Sequence, residues 1–286
     1  PTRRSSDLVF VGVLYLCLAT YIWIRMLWRL NPEVKPSWDL YAVYAKSWMG
    51  RYIPGKVVWI AGKIHFASNY GIPASQLGIT SLLEAGVQMA TQLVISLIIV
   101  LVDGNFHVLP DSIRWLVLTA IIGMIVALIP PIFNSVLSLG LRLLRRRTDN
   151  NIKVTWMALG EMAGLYSLGY LLLGATYFLT LKAIIPDLDS GLIAFTTAGI
   201  SIAGTLGILA LFAPSGLGVR EGFIVVFLAM VMPVELAVVA AVVLRFSALF
   251  VDLVFLAFCV VGRWVSTGRS EERRVGKQCR SRWSPY

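Results

Sequence analysis

Long apolar stretches dominate the chain and predict helices. The stretches at 78–102, 113–133 and 234–261 lack the alternation of apolar and polar positions that is typical of strands in membrane barrels. Segments 9–30 and 154–185 also have the roughly 20 residues that a helix needs to cross the hydrocarbon core of a bilayer. The pattern therefore predicts an all-α integral membrane protein, a polytopic helical bundle in one domain with about six or seven membrane-embedded helices.

Two interruptions in this pattern combine glycine with proline. Residues 213–223 read Ala-Pro-Ser-Gly-Leu-Gly-Val-Arg-Glu-Gly-Phe, and an earlier pair of short helices meets at Pro54 and Gly55. In lipid, irregular backbone is tolerated only where it is buried in protein or lines a cavity, because unpaired N–H and C=O groups are costly. Arg220 and Glu221 indicate a functional site at the second break, since a charge at bilayer depth costs at least about 2.5–3.5 kcal/mol. The alternative is a loop that simply reaches water.

Positive charge predicts how the chain crosses the membrane. The strongest basic cluster indicates a cytoplasmic segment, and it consists of Arg142, Arg145, Arg146, Arg147 and Lys153. Counting crossings from this cluster, segment 234–261 ends in the cytoplasm only if 190–232 forms a re-entrant hairpin that enters from outside. The hairpin at Pro54 then enters from inside. Two interrupted segments of opposite orientation predict two re-entrant hairpins in an inverted-repeat arrangement.

Composition supports a membrane protein and changes the interpretation of the two ends. Hydrophobic residues make up 58% of the chain and charged residues 14%, against about 45–50% and 25% in soluble domains. Part of the net charge of +10 lies in residues 1–8 and 269–286, which resemble translations of a sequencing adapter. We expect these ends to pack against nothing specific, and residues 9–268 to be a membrane domain cut from a longer chain. The alternative is a natural basic tail.

Polar and small residues within the apolar segments predict internal contacts. Glu84, Gln88 and Gln92 recur every four residues and form a stripe that should point into the bundle. The GxxxG pattern at 160–164 is suited to close helix packing.

Three short motifs resemble a known family. They are Ile53-Pro54-Gly55-Lys56 followed by Lys63, then Pro214-Ser215-Gly216-Leu217-Gly218-Val219-Arg220-Glu221, and Arg245-Phe246-Ser247. Together they are similar to the membrane region of the lysylphosphatidylglycerol synthase and flippase family, which includes stand-alone members of uncharacterised function. The resemblance implies a helical bundle with two re-entrant hairpins that moves a lipid with a polar head group between leaflets. One departure is Val58-Trp59, where the family often has Gly-Glu.

The charges and glycines at the breaks suit an anionic lipid head group. A lipid phosphate that crosses the bilayer needs cations and free N–H groups, which glycine-rich helix starts supply together with a favourable dipole. Glu84 and Glu221 would neutralise the cations while the site is empty. Arg245 and Asp252, seven residues apart, also fit a purely structural ion pair. The candidate substrate-binding residues are Arg51, Pro54, Gly55, Lys56, Glu84, Pro214, Gly216, Gly218, Arg220, Glu221 and Arg245.

The sequence therefore predicts a flippase-like protein of the prokaryotic cell membrane that binds or translocates a lipid with an anionic head group. One alternative is a membrane-embedded lipid-modifying transferase with Glu221 or Glu84 as general base. Another is a non-transporting membrane partner of a glycosyl or aminoacyl transferase. The chain has no recognisable catalytic, nucleotide-binding or metal motif, so we expect no cofactor, metal ion or nucleic-acid partner. The expected partner is a membrane lipid, and self-association and a transferase partner are both left open.

Overall fold

The computed structural model describes residues 2–53, 58–104, 111–135, 154–209, 216 and 218–282. Within these ranges the regular structure is entirely helical, which confirms the predicted all-α class. Two short 3₁₀ helices, Met49–Tyr52 and Ser190–Leu192, adjoin longer helices. The α-helices are α1 (Thr2–Leu30), α2 (Trp38–Trp48), α3 (Val58–Ser68), α4 (Ala74–Val102), α5 (Asp111–Ala127), α6 (Trp156–Ile184), α7 (Ile193–Leu209), α8 (Val219–Leu228) and α9 (Val234–Arg282).

Five helical stretches in the described residues are long and apolar enough to cross a membrane. The sequence predicted about six or seven membrane-embedded helices and included the stretch 113–133, of which the helix α5 covers only 17 residues. Large apolar side chains cover much of the outer surface, including Trp115 at 70% and Leu171 at 68% exposure, which is typical of a protein that faces lipid. The five stretches are Ser6–Leu30, Ala74–Val102, Trp156–Ile184, Ser190–Ile208 and Val234–Thr267.

The predicted span 113–133 is divided near its end. Helix α5 has 17 residues and stops at Ala127, and the chain becomes helical again from residue 130 to 135. The break immediately precedes Pro130 and Pro131, because a proline has no N–H to donate and its ring disfavours helical backbone in the residue before it. The two prolines therefore account for the division of this apolar stretch.

Polar residues cap several helices where apolar sequence begins. Ser37 has an extended backbone, and its hydroxyl accepts a hydrogen bond from the N–H of Leu40 at the start of α2. Thr155 caps α6 in the same way through the N–H of Ala158. Such caps satisfy N–H groups that have no partner within the helix. The cap positions therefore define where these two helices begin.

Helices α1 and α6 form an antiparallel pair at the centre of the bundle. Near the end of α1, Arg25 Nε lies 2.8 Å from Oε1 of Glu161, close to the start of α6. In the middle of the pair, Tyr15 packs on Gly169, where an added Cβ would lie 3.5 Å from the tyrosine ring. Towards the start of α1, a Cβ on Gly12 would lie 3.4 Å from the side chain of Thr176. From one contact to the next, residue numbers fall along α1 and rise along α6, so the two helices cross the bundle in opposite directions.

Two pairs of consecutive helices are folded back, with the second helix antiparallel to the first, and glycines allow the two helices of each pair to pack closely. Helices α2 and α3 are antiparallel, and a Cβ on Gly62 would lie 3.2 Å from Ser47. Helices α7 and α8 pair in the same manner, with Gly199 against Phe227 and Gly207 against Arg220. Both pairs contact α4 and α9.

Three expectations from the sequence are wrong in detail. Leu8, at the end of the adapter-like segment 1–8, is 7% exposed and belongs to the core cluster of α1, α2 and α9. The last helix does not end near residue 261 but continues to Arg282. Gly160 and Gly164 pack against no helix of the described residues, since an added Cβ on either meets nothing within 4 Å. The glycines that do permit close contact in α6 are at 169 and 174, whose neighbours lie on α1 and α7.

Candidate functional site

A cavity of about 260 Å³ lies between the end of the 3₁₀ helix Met49–Tyr52, which follows α2, and the adjoining ends of α7 and α8. Helices α1, α4, α6 and α9 form its remaining walls. Apolar groups dominate, and the polar side chains are few. The polar and charged lining residues with described positions are Tyr15, Trp48, Arg51, Tyr52, Trp59, Gln88, Gln92, Thr176, Tyr177, Ser201, Thr205, Arg220, Arg245 and Asp252.

Arg51 and Asp252 form an ion pair on one wall of the cavity. Arg51 Nη2 lies 2.6 Å from Oδ2 of Asp252, a residue of α9 whose side chain is 4% exposed. Tyr52 donates a hydrogen bond to the same oxygen at 2.5 Å, and the indole N–H of Trp48 donates to Oδ1 at 3.2 Å. The Arg51 guanidinium also lies over the Trp48 ring, 4.8 Å from its centroid. The carboxylate of Asp252 is therefore engaged at both oxygens.

Arg245 and Glu221 form a second ion pair between α9 and the start of α8. Arg245 Nη1 lies 3.2 Å from Oε1 of Glu221. The other oxygen, Oε2, accepts a hydrogen bond from the N–H of Gly218 at 2.8 Å. Glu221 thus neutralises an arginine and caps the helix in which it lies, at the end where negative charge is favoured.

Arg220 differs from its neighbours because it lines the cavity without a counter-charge. The structure gives it no ion pair and no hydrogen bond to any group in the described part of the chain. Its Cβ is held against α7, where a Cβ added at Gly207 would lie 2.9 Å away. A cation that has no partner among the described residues is costly in an apolar wall, and a negatively charged group beside it would offset that cost.

Gly216 is required by the close approach of two backbone segments at the same wall. Its φ is +67°, and an added Cβ would lie 2.7 Å from the carbonyl oxygen of Gly207. Gly218 also has a positive φ, +82°, but an added Cβ there meets nothing within 4 Å. Positive φ favours glycine at both positions, whereas the steric requirement applies to Gly216 alone.

Lys63 and Glu84 form a buried ion pair behind the cavity. Both side chains are almost fully buried, at 0% and 1% exposure, and the lysine Nζ contacts Oε2 of the glutamate. Tyr44 donates to the other glutamate oxygen at 2.6 Å. The rings of Trp23, Tyr44 and Trp59 surround the ammonium group, with centroids 4.8, 4.1 and 5.0 Å away. Trp59 therefore separates this ion pair from the cavity.

The polar stripe of α4 points into the bundle, as predicted, but its members have different environments. Glu84 forms an ion pair with Lys63, whereas Gln88 and Gln92 line the cavity. Gln88 Nε2 donates to the hydroxyl of Tyr15 at 2.8 Å, and Gln92 Nε2 lies 3.5 Å from the same oxygen. The two amides and the phenol form an uncharged polar patch on the α1–α4 side of the cavity.

The structure brings together most of the predicted site residues with described positions. Arg51, Gly216, Arg220 and Arg245 line the cavity. Glu221 and Gly218 lie directly behind Arg245, whereas Glu84 is excluded from the cavity because it pairs with Lys63. Pro54, Gly55, Lys56 and Pro214 lie outside the described residues.

Two predicted pairings are corrected. Arg245 was expected to pair with Asp252 as one interpretation, but Arg245 pairs with Glu221 and Asp252 with Arg51. Glu84 was expected to neutralise the arginines at the breaks, but it pairs with Lys63. The sequence reasoning also missed Tyr15, Trp48, Tyr52 and Trp59 as lining residues. The only sequence signal for this wall of the cavity was Asp252, because a carboxylate within an apolar helix needs a cation from another element.

The described residues contain no group of three or more histidine, cysteine, aspartate or glutamate side chains placed to hold a metal ion. Comparison of the chain with family models, with curated proteins and with solved structures finds no match.

Proposed function

We propose that the protein binds a lipid through its anionic head group in this cavity and moves the head group between the two leaflets. The observation that carries the proposal is Arg220, a cation that lines the cavity and has no counter-charge in the described residues. Arg51 and Arg245 are already neutralised by Asp252 and Glu221. A phosphate group at Arg220 would supply the missing negative charge and a charge-assisted hydrogen bond.

The lengths of the helices around the cavity support two re-entrant hairpins. Helices α2 and α3 have 11 residues each and α8 has 10, and at about 1.5 Å per residue these three helices are far shorter than the hydrocarbon core of a bilayer. Helix α7 is longer, with 17 residues, and together with the 3₁₀ helix before it is one of the five stretches long enough to cross a membrane. Ile53, which follows the 3₁₀ helix after α2, and Gly216, which precedes α8, have non-helical backbone and both line the cavity. Irregular backbone beside a cavity near the middle of the bundle is typical of transporter binding sites.

The helix contacts also support an inverted repeat. If α1, α2, α3 and α4 correspond to α6, α7, α8 and α9, contacts in the first half have counterparts in the second. The α3–α4 contact corresponds to α8–α9, and the α1–α4 contact to α6–α9. Between the halves, the α4–α7 contact corresponds to α9–α2. Because α1 and α6 are antiparallel, the two halves run through the bundle in opposite senses, and the two hairpins would enter from opposite faces.

The resemblance of three motifs to the lysylphosphatidylglycerol synthase and flippase family is compatible with this proposal. Two of the motifs include Arg220 and Arg245, which line the cavity. The transferase alternative has less support, because its two candidate general bases are occupied. Glu84 accepts from Tyr44 and pairs with Lys63, and Glu221 pairs with Arg245. A general base must reach the proton that it removes.

Leaflet exchange of a labelled anionic lipid in proteoliposomes tests the proposal. Arg220→Gln should slow the exchange of labelled phosphatidylglycerol at least about tenfold, because hydrogen bonds to charged groups are worth about 1.5–3 kcal/mol. Arg114→Gln is the matched control, since it removes one arginine from α5 whose partner, Asp111, is 90% exposed. That control should exchange lipid at the parent rate. The proposal is wrong if Arg220→Gln folds, inserts and exchanges anionic lipid as fast as the parent protein.

A further inference from the structure

The buried ion pair of Lys63 and Glu84 has no role in the proposed binding step, although it lies close to the cavity. The ring of Trp59 has its centroid 5.0 Å from the Lys63 Nζ, and Trp59 also lines the cavity. Gln88, one helical turn after Glu84 on the same face of α4, lines the cavity as well. Buried ion pairs add little net stability compared with apolar residues, and charges within a membrane usually mark function. A functional role is therefore expected for this pair.

Three aromatic rings stabilise the ammonium group of Lys63 independently of the carboxylate. The rings of Trp23, Tyr44 and Trp59 have their centroids 4.8, 4.1 and 5.0 Å from Nζ. A cation over an aromatic face is attracted to it, most strongly where water is excluded. Lys63 can therefore remain charged in the interior while its counter-ion changes. Glu84 is the member of the pair that can be neutralised without leaving an unstabilised charge.

The ionisable groups that face Glu84 come from the helices packed around it. Lys63 of α3 contacts Oε2, and Tyr44 of α2 donates to Oε1 at 2.6 Å. Tyr166 of α6 interacts electrostatically with Glu84 and with Tyr15 of α1. Helix α7 has no ionisable residue, and the two of α5 pair with each other near its start. Among the described residues, Lys63 is therefore the cation that contacts the Glu84 carboxylate.

Tyr166 lies near both Glu84 and the cavity lining. It is 1% exposed, and its hydroxyl has no hydrogen-bond partner in the described part of the chain. Tyr15, with which it interacts, lines the cavity. A buried hydroxyl without a partner is costly, and buried water commonly satisfies such groups. Because a hydroxyl can accept one hydrogen bond while it donates another, Tyr166 and bridging water can carry protons between the cavity and Glu84.

We propose that Glu84 is a proton-binding site and that it takes up one proton when an anionic head group binds in the cavity. The proton passes from water in the cavity through the Tyr166 hydroxyl to the carboxylate, which becomes a neutral carboxyl group. The ion pair is thereby lost, and Lys63 stays charged among its three rings. The pair then carries one positive charge instead of none, and the negative head group on the other side of Trp59 offsets that charge.

Such a site links lipid binding to protons in both directions. The proton favours binding of the head group, and the head group favours binding of the proton by the same factor. A proton that moves with an anionic lipid cancels one of its negative charges, so the membrane potential opposes the movement less. The inference rests on the proposed function and extends it from lipid binding to coupling with a proton gradient.

The affinity for dioctanoyl phosphatidylglycerol at different pH values tests the inference. Trp48 and Trp59 line the cavity, so their fluorescence in the purified full chain in detergent reports binding. Because binding takes up a proton, the affinity is highest at low pH. We expect it to fall about three- to tenfold for each unit of rising pH between about pH 5 and 8, where uptake of one proton allows at most about tenfold.

Glu84→Gln is the decisive variant, since its neutral amide has the size of the protonated carboxyl group and keeps one acceptor oxygen. It should bind the lipid at every pH as tightly as the parent protein does at low pH. Glu33→Gln, the same change at an exposed position, is the matched control and should keep the pH dependence of the parent. Exposed groups such as His65 are retained in both variants, so any pH dependence that they cause would persist.

Tyr166→Phe and Tyr170→Phe compare the same change one helical turn apart. A pH indicator in weakly buffered detergent records proton uptake after rapid mixing with the lipid. Tyr166→Phe should take up as many protons as the parent but at least about tenfold more slowly, because positioned proton-transfer groups commonly contribute more than that factor. Tyr170→Phe loses a hydroxyl that lies 3.0 Å from Oγ of Ser96 and should keep the parent rate. A purely structural role predicts the reverse order, since of the two tyrosines only Tyr170 has a hydrogen-bond partner in the described residues.

The outcomes also distinguish this inference from the proposed function. A parent affinity that does not change with pH, or that changes equally in Glu84→Gln, overturns the inference and leaves the anionic-lipid site intact. Equal uptake rates in the two tyrosine variants also overturn it, and they decide the question if Glu84→Gln fails to fold. If the folded parent protein binds no phosphatidylglycerol at any pH, the proposed function is wrong and the inference fails with it. A pH dependence that is lost in Glu84→Gln, together with slow uptake in Tyr166→Phe, supports both.

Discussion

Two glycines next to Arg220 have the same backbone preference but different surroundings. Both Gly216 and Gly218 have a positive φ, yet only Gly216 lies against another backbone segment. The carbonyl group of Gly207 occupies the space where a side chain of residue 216 would begin. The wall that carries Arg220 thus depends on one residue having no side chain at all.

The difference between these glycines gives a prediction with an internal control. Gly218→Ala should cost about 1–2 kcal/mol of stability, the penalty for a side chain at positive φ. Gly216→Ala should cost that amount plus about 1–3 kcal/mol for the clash with Gly207. Denaturation of the two variants in the same detergent measures the difference. Equal losses would show that the backbone contact at Gly207 has no energetic importance.

The sequence identifies the charged residues of the site better than their partners. Arg220, Glu221 and Arg245 are predictable because charges at breaks in apolar sequence need a cavity or a counter-charge. The pairing of Arg51 with Asp252 is not predictable, since the two residues are far apart in sequence and only packing of α2 against α9 joins them. The same is true of the pairing of Lys63 with Glu84, since the sequence places Lys63 in a motif but gives no sign of its partner.

Helices α3 and α4 are joined by the buried pair of Lys63 and Glu84. Replacing both residues by apolar ones of similar size removes two charges from the interior together, which is often neutral or stabilising. Replacing one leaves the other charge buried without a partner, which costs about 3–5 kcal/mol. In any variant that lacks Glu84, Tyr44 keeps its position on α2 but its hydroxyl loses the carboxylate that accepts its hydrogen bond.

The prediction for this pair of helices is a strong departure from additivity. Lys63→Met and Glu84→Leu should each destabilise the protein by about 3–5 kcal/mol, and the double variant should lie within about 1–2 kcal/mol of the parent. Unfolding of the four proteins in one detergent provides the double-mutant cycle. Additive losses in the double variant would contradict the prediction, because the two charges would then act independently.

The positions of the helices follow from sequence more closely than their packing partners do. Apolar length predicts α4 and α6 to within four residues and the end of α1 at Leu30, but it misses the start of α1 by seven residues. The GxxxG pattern at 160–164 misleads because glycine spacing alone does not say which face of a helix meets a neighbour. The glycines that α6 uses, at 169 and 174, carry no such motif.

At the scale of the whole molecule, the ends of each folded-back pair of helices lie together. Tyr70, just after α3, donates a hydrogen bond to Asp39 at the start of α2. On the other pair, Leu188, just before α7, shares a core cluster with Leu228 at the end of α8. Each pair therefore enters and leaves the bundle at one end, and an inverted repeat requires the two ends to face opposite sides of the membrane.

Labelling of single cysteines with a membrane-impermeant maleimide tests this topology. Glu33→Cys and Asn69→Cys flank the first pair, and Asp187→Cys and Glu235→Cys flank the second. All four positions are exposed. The first two should react from one face of sealed vesicles and the last two only from the other face. Reaction of all four from the same face would contradict the inverted arrangement.

The buried pair of Lys63 and Glu84 also constrains how the chain enters a bilayer during synthesis. Helix α3 carries the lysine and emerges first, and α4 carries the glutamate and follows after only five residues, 69–73. Either helix alone would bring an unpaired charge into lipid at a cost of about 2.5–3.5 kcal/mol. We therefore expect the two helices to enter the membrane as one hairpin with their charges already paired, and α3 to remain at the insertion machinery until α4 has been made.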